Sequence, residues 1–139
     1  MKNTVNIALI DDHQLFRDGL IGLIEDETNY RVKYSFSSAE EFISESIVDE
    51  IDVLITDISL PGISGIELTK KLIAANPDIL IIVISMHINK DFIVQSVEAG
   101  AMSYLPKDAS KSELHDAIQS VNSGNQYYPQ KFTIFWFNI

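Results

Sequence analysis

Short apolar runs alternate along the chain with longer stretches in which the apolar residues follow helical spacing. The runs are rich in Val and Ile and recur at a nearly even distance, at residues 5–10, 31–36, 53–56, 80–85 and 103–105. Some of them, such as 53–55 and 79–84, are continuously apolar, which is typical of strands buried on both faces. Strands and helices that alternate in this way predict βα units, and hence a parallel sheet covered by helices on both sides.

Helix starts fall where these βα units require them. The S-x-x-E pattern of an N-terminal capping box begins at Ser38, Ser64 and Ser110. Asn89 is a candidate cap for a helix near residues 91–99, and Gly100 is a candidate for its C-terminal end. Apolar stripes at helical spacing mark three of the helices: Leu15, Leu20, Leu23 and Ile24; Ile66, Leu68, Leu72 and Ile73; Leu114, Ile118 and Val121. We therefore predict an α/β fold of the (βα)₅ type, a three-layer sandwich with a five-stranded parallel sheet.

The end of the chain departs from this pattern. After Gly124 a linker-like run leads to residues 132–139, of which six in eight are apolar. We predict one domain over residues 1–124, followed by a linker-like segment and an apolar tail over residues 125–139. Burying a large apolar side chain is worth about 1.5–3 kcal/mol, so we expect residues 132–139 to dock on this domain or on a second copy. The alternative is that the tail results from truncation and contributes nothing to the fold.

Composition and charge restrict the partners. The net charge is −10, from 20 acidic and 10 basic residues, so we expect no direct binding of nucleic acid and no attraction to anionic membranes. The absence of cysteine excludes disulfides, thiol catalysis and cysteine-based zinc sites. No apolar run approaches the ~18 residues of a membrane-spanning helix, and the N-terminus does not resemble a signal peptide. We therefore expect a cytoplasmic location.

Polar and charged residues stand where four of the predicted strands end. Asp11 and Asp12 follow the first strand, Asp57 the third, Ser85 ends the fourth, and Lys107 follows the fifth. In an open parallel sheet, ligands bind outside the carboxyl ends of the strands, so we expect these side chains to converge. Three carboxylates so close together repel one another unless a cation lies among them, and oxygen donors alone suit Mg²⁺. A carboxylate beside Mg²⁺ can accept a phosphoryl group, which the hydroxyl and the ammonium would contact.

Each residue taken alone also has a simpler interpretation. The two aspartates after the first strand can cap the first helix, and Asp57 can be a turn residue ahead of Pro61. His13 is expected at a helix start. His87, two residues past Ser85, is equally consistent with a structural role and with modulating a site nearby.

Six stretches, in order and at matching spacing, carry a resemblance to a known family. They are ALIDDH at 8–13, LFRDGL at 15–20, DISLPG at 57–62 with Gly65 after it, ISMH at 84–87, AGA at 99–101 and YLPKD at 104–108. From about Val5 to Gly124 the chain resembles a response-regulator receiver domain of two-component signalling, and most closely the NarL/LuxR-type branch. The resemblance implies a flavodoxin-like sheet with the strand order 2-1-3-4-5.

The resemblance also implies a role for each site residue. Asp57 would accept a phosphoryl group from a sensor histidine kinase. Asp12, Asp57 and the backbone carbonyl of Ser59 would bind Mg²⁺, with Asp11 acting through water. Ser85 and Lys107 would contact the phosphoryl group. Tyr104 would be the aromatic switch residue, turning inward as the serine moves. The family turns over no separate substrate, so we expect a signalling protein rather than an enzyme, with homodimerisation possible.

Two departures from the family pattern stand out. Many receivers have a Lys-Pro bond, whereas Pro106 precedes Lys107 here and Asp108 follows it. The branch continues into a helix-turn-helix domain, so we expect a receiver that controls transcription but lacks its DNA-binding output domain. Two other classes stay open: a Mg²⁺-dependent phosphohydrolase, although Ser59 stands where its second acid is usual, and an interaction module that takes up no phosphoryl group.

Overall fold

Five parallel strands form the middle layer of the fold, in the order β2-β1-β3-β4-β5. The computed structural model describes residues 3–133. The strands are β1 (Val5–Ile10), β2 (Tyr30–Phe36), β3 (Val53–Asp57), β4 (Ile81–Ser85) and β5 (Ser103–Pro106). The predicted strand order is confirmed, and each predicted strand end lies within one residue of the observed one.

Helices cover both faces of the sheet. They are α1 (Gln14–Glu25), α2 (Ala39–Glu45), α3 (Gly65–Ala75), α4 (Lys90–Ala99), α5 (Lys111–Asn122) and the single turn α6 (Gln130–Thr133), with a short 3₁₀ turn at Val48–Glu50. α1 and α5 pack on one face, and α2, α3 and α4 pack on the other. Successive side chains of a strand point to opposite faces of the sheet. In β1, Ile7 and Leu9 face α1 and α5, whereas Ala8 and Ile10 face the opposite layer. Across residues 3–133, no helix has the length and apolarity needed to span a bilayer.

The predicted helix caps are formed. Each predicted serine cap accepts the backbone N–H three residues later: Ser38 from Glu41, Ser64 from Glu67, and Ser110 from Glu113. Asn89 caps α4 by accepting two backbone N–H groups, and Gly100 ends that helix at a φ of 109°, a left-handed conformation that favours glycine. At α2 the carboxylate of Glu41 also accepts from the backbone N–H and the hydroxyl of Ser37.

One apolar stripe was predicted wrongly. Leu20 and Ile24 of α1 are buried, as expected, but Leu15 is 89% exposed and Leu23 is 41% exposed. An α-helix turns by about 100° per residue, so Leu15 stands roughly 140° from Leu20 around the helix axis. The helix therefore carries a second apolar strip, which borders a surface groove between α1 and α5.

Residues 125–133 lie along β5, at the edge of the sheet. Tyr127 forms a parallel bridge with Ser103, and its N–H donates to the carbonyl of Met102 at 3.0 Å. Phe132 is fully buried and packs edge-to-face on Tyr104, with the ring centroids 5.7 Å apart. The expected docking of the tail therefore holds at Phe132, whereas residues 134–139 lie outside the described residues. The division of the chain at residue 124 stays a prediction.

The start of α3 lies directly against the end of β3. The N–H of Gly65 donates to the carbonyl of Ile58 at 3.0 Å. A Cβ atom at position 65 would lie 2.1 Å from the carbonyl oxygen of Asp57, much closer than two atoms can approach. Glycine at position 65 therefore lets α3 begin in contact with the backbone of Asp57, and this contact restricts the position of the Asp57 backbone.

We predict that Gly65→Ala destabilises the protein by about 1–3 kcal/mol, the usual effect of overpacking, because the added methyl group collides with the Asp57 backbone. Gly19→Ala is the matched control: a Cβ there meets no described atom beyond its own helix within 4 Å, so the higher helix propensity of alanine should stabilise the protein by up to about 1 kcal/mol. Urea unfolding of both variants measures this. A Gly65→Ala variant as stable as the parent would contradict the close approach.

Candidate functional site

The carboxyl ends of β1, β3 and β5 bring three predicted residues into direct contact. The Nζ atom of Lys107 lies 2.7 Å from Oδ2 of Asp11 and 2.9 Å from Oδ2 of Asp57. The three side chains are 6%, 0% and 2% exposed, respectively. Charges this deeply buried need partners, and here one ammonium serves two carboxylates.

The backbone carries these residues to the same edge of the sheet. Sheet-type hydrogen bonds continue past the strand ends: the N–H of Asp11 donates to the carbonyl of Phe36 at 3.1 Å, and the N–H of Lys107 donates to that of Ser85 at 2.9 Å. These bonds hold Asp11 and Lys107 directly beyond the ends of their strands, next to the apolar core. The long lysine side chain spans the space to the central strands and is itself buried.

Each carboxylate divides its two oxygens between a local turn and the lysine. Oδ1 of Asp11 accepts from the N–H of His13 at 2.7 Å, and Oδ1 of Asp57 accepts from the N–H of Ser59 at 3.1 Å. Oδ2 of each faces Lys107. The capping and turn interpretations of these aspartates are therefore compatible with a shared site, because the turn bonds orient the oxygens that face the ammonium.

Burial and pairing shift the pKa values in this cluster. Burial raises the pKa of the Asp57 carboxyl, and the hydrogen bonds from Lys107 and from the Ser59 amide offset this only in part. Burial alone would lower the pKa of Lys107, but its hydrogen bonds to Asp11 and Asp57 outweigh this and raise the pKa. The lysine is therefore firmly protonated, whereas the charge on Asp57 costs the folded state free energy.

Four side chains at this edge could together hold a metal ion. Asp11, Asp12, Asp57 and His13 can each offer a ligand atom, and these atoms lie within 4.8 Å of one another. The Asp12 side chain is 33% exposed, so the group opens to solvent on that side. Carboxylate donors that keep space for water fit Mg²⁺. The structure gives Ser59 a contact through its N–H group; a role for its carbonyl stays a prediction.

The other predicted residues meet at the loop that follows β4. The hydroxyl of Ser85 accepts from the N–H of His87 at 2.9 Å, and the Tyr104 hydroxyl donates to the carbonyl of His87 at 2.6 Å. Tyr104 is fully buried, and burial raises the pKa of its hydroxyl, which stays protonated as a donor. The exposed His87 ring packs against Phe92, with the centroids 5.6 Å apart. His87 thus links Ser85 to Tyr104 through its backbone, and the hydroxyls of Ser85 and Tyr104 are also within hydrogen-bonding reach of each other.

Sequence reasoning missed three side chains at the site. The Phe16 ring lies over the ammonium of Lys107, with the ring centroid 4.6 Å from Nζ. Arg17 donates from Nη1 to the carbonyl of Asp11. His13 stands at the start of α1, as expected, but its Nδ1 also lies 3.4 Å from Asp11 and 3.3 Å from Asp12. For His13 and Arg17, closeness to Asp11 along the chain was the available signal, whereas no local signal marked the contact between Phe16 and Lys107.

Comparison with known proteins identifies close relatives. The response regulator receiver domain family matches residues 7–119. The chain is 35% identical over 123 residues to the response regulator UvrY of Escherichia coli (strain K12), covering 88% of this chain and 56% of UvrY. It is 31% identical over 132 residues to the transcriptional regulatory protein DegU of Brevibacillus brevis, covering 95% of this chain and 56% of DegU. The chain thus spans little more than half the length of these relatives.

Solved structures share the fold. A LuxR-family two-component response regulator from Aurantimonas sp. SI85-9A1 superposes with a TM-score of 0.91 at 29% identity, over 98% of this chain and 97% of that one. The isolated REC domain of RcsB from Salmonella enterica serovar Typhimurium, in the presence of the phosphomimetic BeF₃⁻, gives a TM-score of 0.86 at 24% identity, over 96% and 99% of the two chains. At 24% identity the likeness to RcsB shows the fold alone.

The raised pKa of Asp57 predicts a pH-dependent gain in stability when its charge is removed. Folded Asp57 binds a proton more tightly than it does in the unfolded chain, so the parent loses stability as the pH rises above the unfolded value of about 3.9. Asp57→Asn removes the charge and keeps the shape. In EDTA we expect this variant to melt above the parent at pH 7, by a margin that shrinks as the pH falls toward 4.

Asp18→Asn, an exposed residue of α1, is the control, and its melting temperature should follow that of the parent throughout. If Asp57→Asn were less stable than the parent at pH 7, the attraction of Lys107 would exceed the cost of burial, and our account of the cluster would be wrong.

Proposed function

Because the chain belongs to the response regulator receiver domain family, as its motifs indicated, we propose that Asp57 accepts a phosphoryl group from a sensor histidine kinase. The observation that carries this proposal is the buried carboxylate of Asp57 at the end of the central strand, 2.9 Å from the Lys107 ammonium and grouped with Asp11 and Asp12. It is a nucleophile held in place, with cationic and metal-binding groups around it.

The transfer requires little from the protein beyond positioning. A carboxylate oxygen of Asp57 forms a bond to phosphorus while the phosphorus–nitrogen bond of the donor's phosphohistidine breaks, and the bonding electron pair returns to the imidazole nitrogen. The product is an acyl phosphate. No proton has to be removed from the ionised carboxylate, so the site needs no general base. Mg²⁺, when bound, would neutralise charge on the phosphoryl oxygens. Asp11, Asp12, Asp57 and the Ser59 carbonyl would hold it.

Two side chains would receive the phosphoryl oxygens. Lys107 is a point charge on a flexible stem, and it can exchange one carboxylate for a phosphoryl oxygen without losing a counter-charge. The Ser85 hydroxyl accepts from the N–H of His87 through its oxygen, and its proton, which is in hydrogen-bonding reach of the Tyr104 hydroxyl, would turn to a phosphoryl oxygen. In this proposal Tyr104 is the switch residue, and His87 modulates the site from the loop between them.

Output and assembly follow as further parts of the proposal. The names of the relatives describe response and transcriptional regulators, and this chain corresponds to little more than half of their length. We infer that a phosphorylated receiver of this type controls transcription and can form a homodimer. With a net charge of −10 the chain would not itself contact nucleic acid. Its cytoplasmic location stays a prediction.

We predict that acetyl phosphate and Mg²⁺ add about 80 Da to the intact protein, and that Asp57→Asn abolishes this adduct. Asp18→Asn, with its exposed carboxylate, should be modified like the parent. Time-resolved intact mass spectrometry measures the adduct, and a phosphate assay run alongside separates the alternatives. Steady release of phosphate over many turnovers would indicate a phosphohydrolase. No adduct on the parent would indicate an interaction module, and undiminished modification of Asp57→Asn would place the acceptor elsewhere.

Metal binding should depend on Asp12, which contributes charge at the site but does not contact Lys107. We predict that Asp12→Asn binds Mg²⁺ at least about tenfold more weakly than the parent, as measured by isothermal titration calorimetry. Asp78→Asn, in the exposed connection between α3 and β4, should bind Mg²⁺ normally. Equal affinity in Asp12→Asn and the parent would show that the metal lies elsewhere.

A further inference from the structure

Tyr104 connects the candidate site to the C-terminal segment 125–133. Its side chain is fully buried, with the hydroxyl bonded to the loop after β4 and the ring packed against Phe132. The Tyr104 side chain thus contacts both the loop and the C-terminal segment. Tyr104 is therefore the point at which a change in the loop would reach the C-terminal segment.

The loop after β4 is held by few contacts. Met86 is 75% exposed and Ile88 is 52% exposed, so their side chains contribute little packing. The N–H of His87 is bound by the Ser85 hydroxyl, and its carbonyl is bound by the Tyr104 hydroxyl. Since both bonds end on one residue of the loop, fixing Ser85 restricts the position of the carbonyl that Tyr104 needs.

The C-terminal segment is anchored to β5 and to the residues just before it. Tyr127 bridges to Ser103, the Tyr128 hydroxyl donates to the carbonyl of Ala101 at 3.1 Å, and the ring of Phe132 packs on Tyr104 at an angle of 73°. The four-residue helix α6 is far too short to form on its own. Its structure therefore depends on the burial of Phe132.

We propose that residues 125–133 are the read-out element of this receiver, and that phosphorylation of Asp57 tightens their docking on β5 through Ser85, His87, Tyr104 and Phe132. This inference rests on the proposed function. A phosphoryl oxygen that accepts a hydrogen bond from Ser85 holds that hydroxyl in place and strengthens the bond that it accepts from His87. The His87 carbonyl is then a fixed acceptor for the Tyr104 hydroxyl. Because the tyrosine ring is held in one position, Phe132 packs on it more tightly.

Coupling of this kind is reciprocal. If the phosphoryl group favours the docked segment, the docked segment must favour the phosphoryl group by the same factor. The effect of Phe132 on ligand affinity at Asp57 therefore measures the same quantity as the effect of the ligand on the segment. Linkage requires the two measurements to agree, so a disagreement would show that one of the two effects is local.

The test uses the full chain with beryllofluoride and Mg²⁺ as a phosphoryl mimic, followed by hydrogen exchange and by titration calorimetry. We expect beryllofluoride to slow amide exchange in residues 125–133 by about fivefold or more, and Phe132→Ala to weaken beryllofluoride binding by a similar factor. Tyr104→Phe keeps the ring and removes the hydroxyl. In that variant the segment should stay docked but no longer respond to beryllofluoride.

Ile24→Ala is the matched control. It shortens a fully buried side chain of α1, on the opposite face of the sheet and toward the β2 edge, and beryllofluoride affinity should not change. If the parent binds beryllofluoride but exchange in residues 125–133 and the affinity of Phe132→Ala are unchanged, the read-out element is refuted and the proposed function stands. If the parent does not bind beryllofluoride, both are refuted.

Discussion

The ammonium of Lys107, buried between the carboxylates of Asp11 and Asp57, is the interaction on which the arrangement of the site depends. Each of these charges would be costly to bury alone, so the ends of β1, β3 and β5 must converge for any of them to be accommodated. The turn bonds of His13 and Ser59 aim the carboxylates at the lysine, and the ring of Phe16 covers it. The apolar core of the sheet sets the positions of the strands. The pairing of the buried charges then requires the carboxyl ends of β1, β3 and β5 to lie close together.

The cluster is incompletely neutralised. Lys107 balances only one of the two carboxylates that it contacts, and Asp12 adds a third at the solvent side. Burial raises the pKa of Asp57, which shows that its negative charge is disfavoured despite the lysine. A divalent cation would balance the excess. The excess negative charge lowers the stability of the fold, but it also places a nucleophile beside a metal-binding group. Functional sites commonly cost stability in this way.

Most of the fold and much of the site followed from the sequence, because each depends on local patterns. Continuous apolar runs predicted the buried strands, and charged residues directly after them predicted the convergence of Asp11, Asp57 and Lys107. The rotation of α1 was not predictable, since the helix carries apolar residues on more than one side, and Leu15 is left exposed. For the same reason the contact of Phe16 with Lys107 was missed: it joins two elements whose relative rotation no local pattern specifies.

The ammonium of Lys107 is buried between two carboxylates, and we propose that it exchanges one of them for a phosphoryl oxygen. Nitrogen-15 NMR of the lysine ammonium groups tests this most directly, because a buried ammonium exchanges its protons slowly enough to be observed. We predict a protected ammonium resonance that Lys107→Met removes and that shifts when acetyl phosphate and Mg²⁺ are added. A Lys107 ammonium that exchanges as fast as those of exposed lysines, or whose resonance does not move on phosphorylation, would contradict the account.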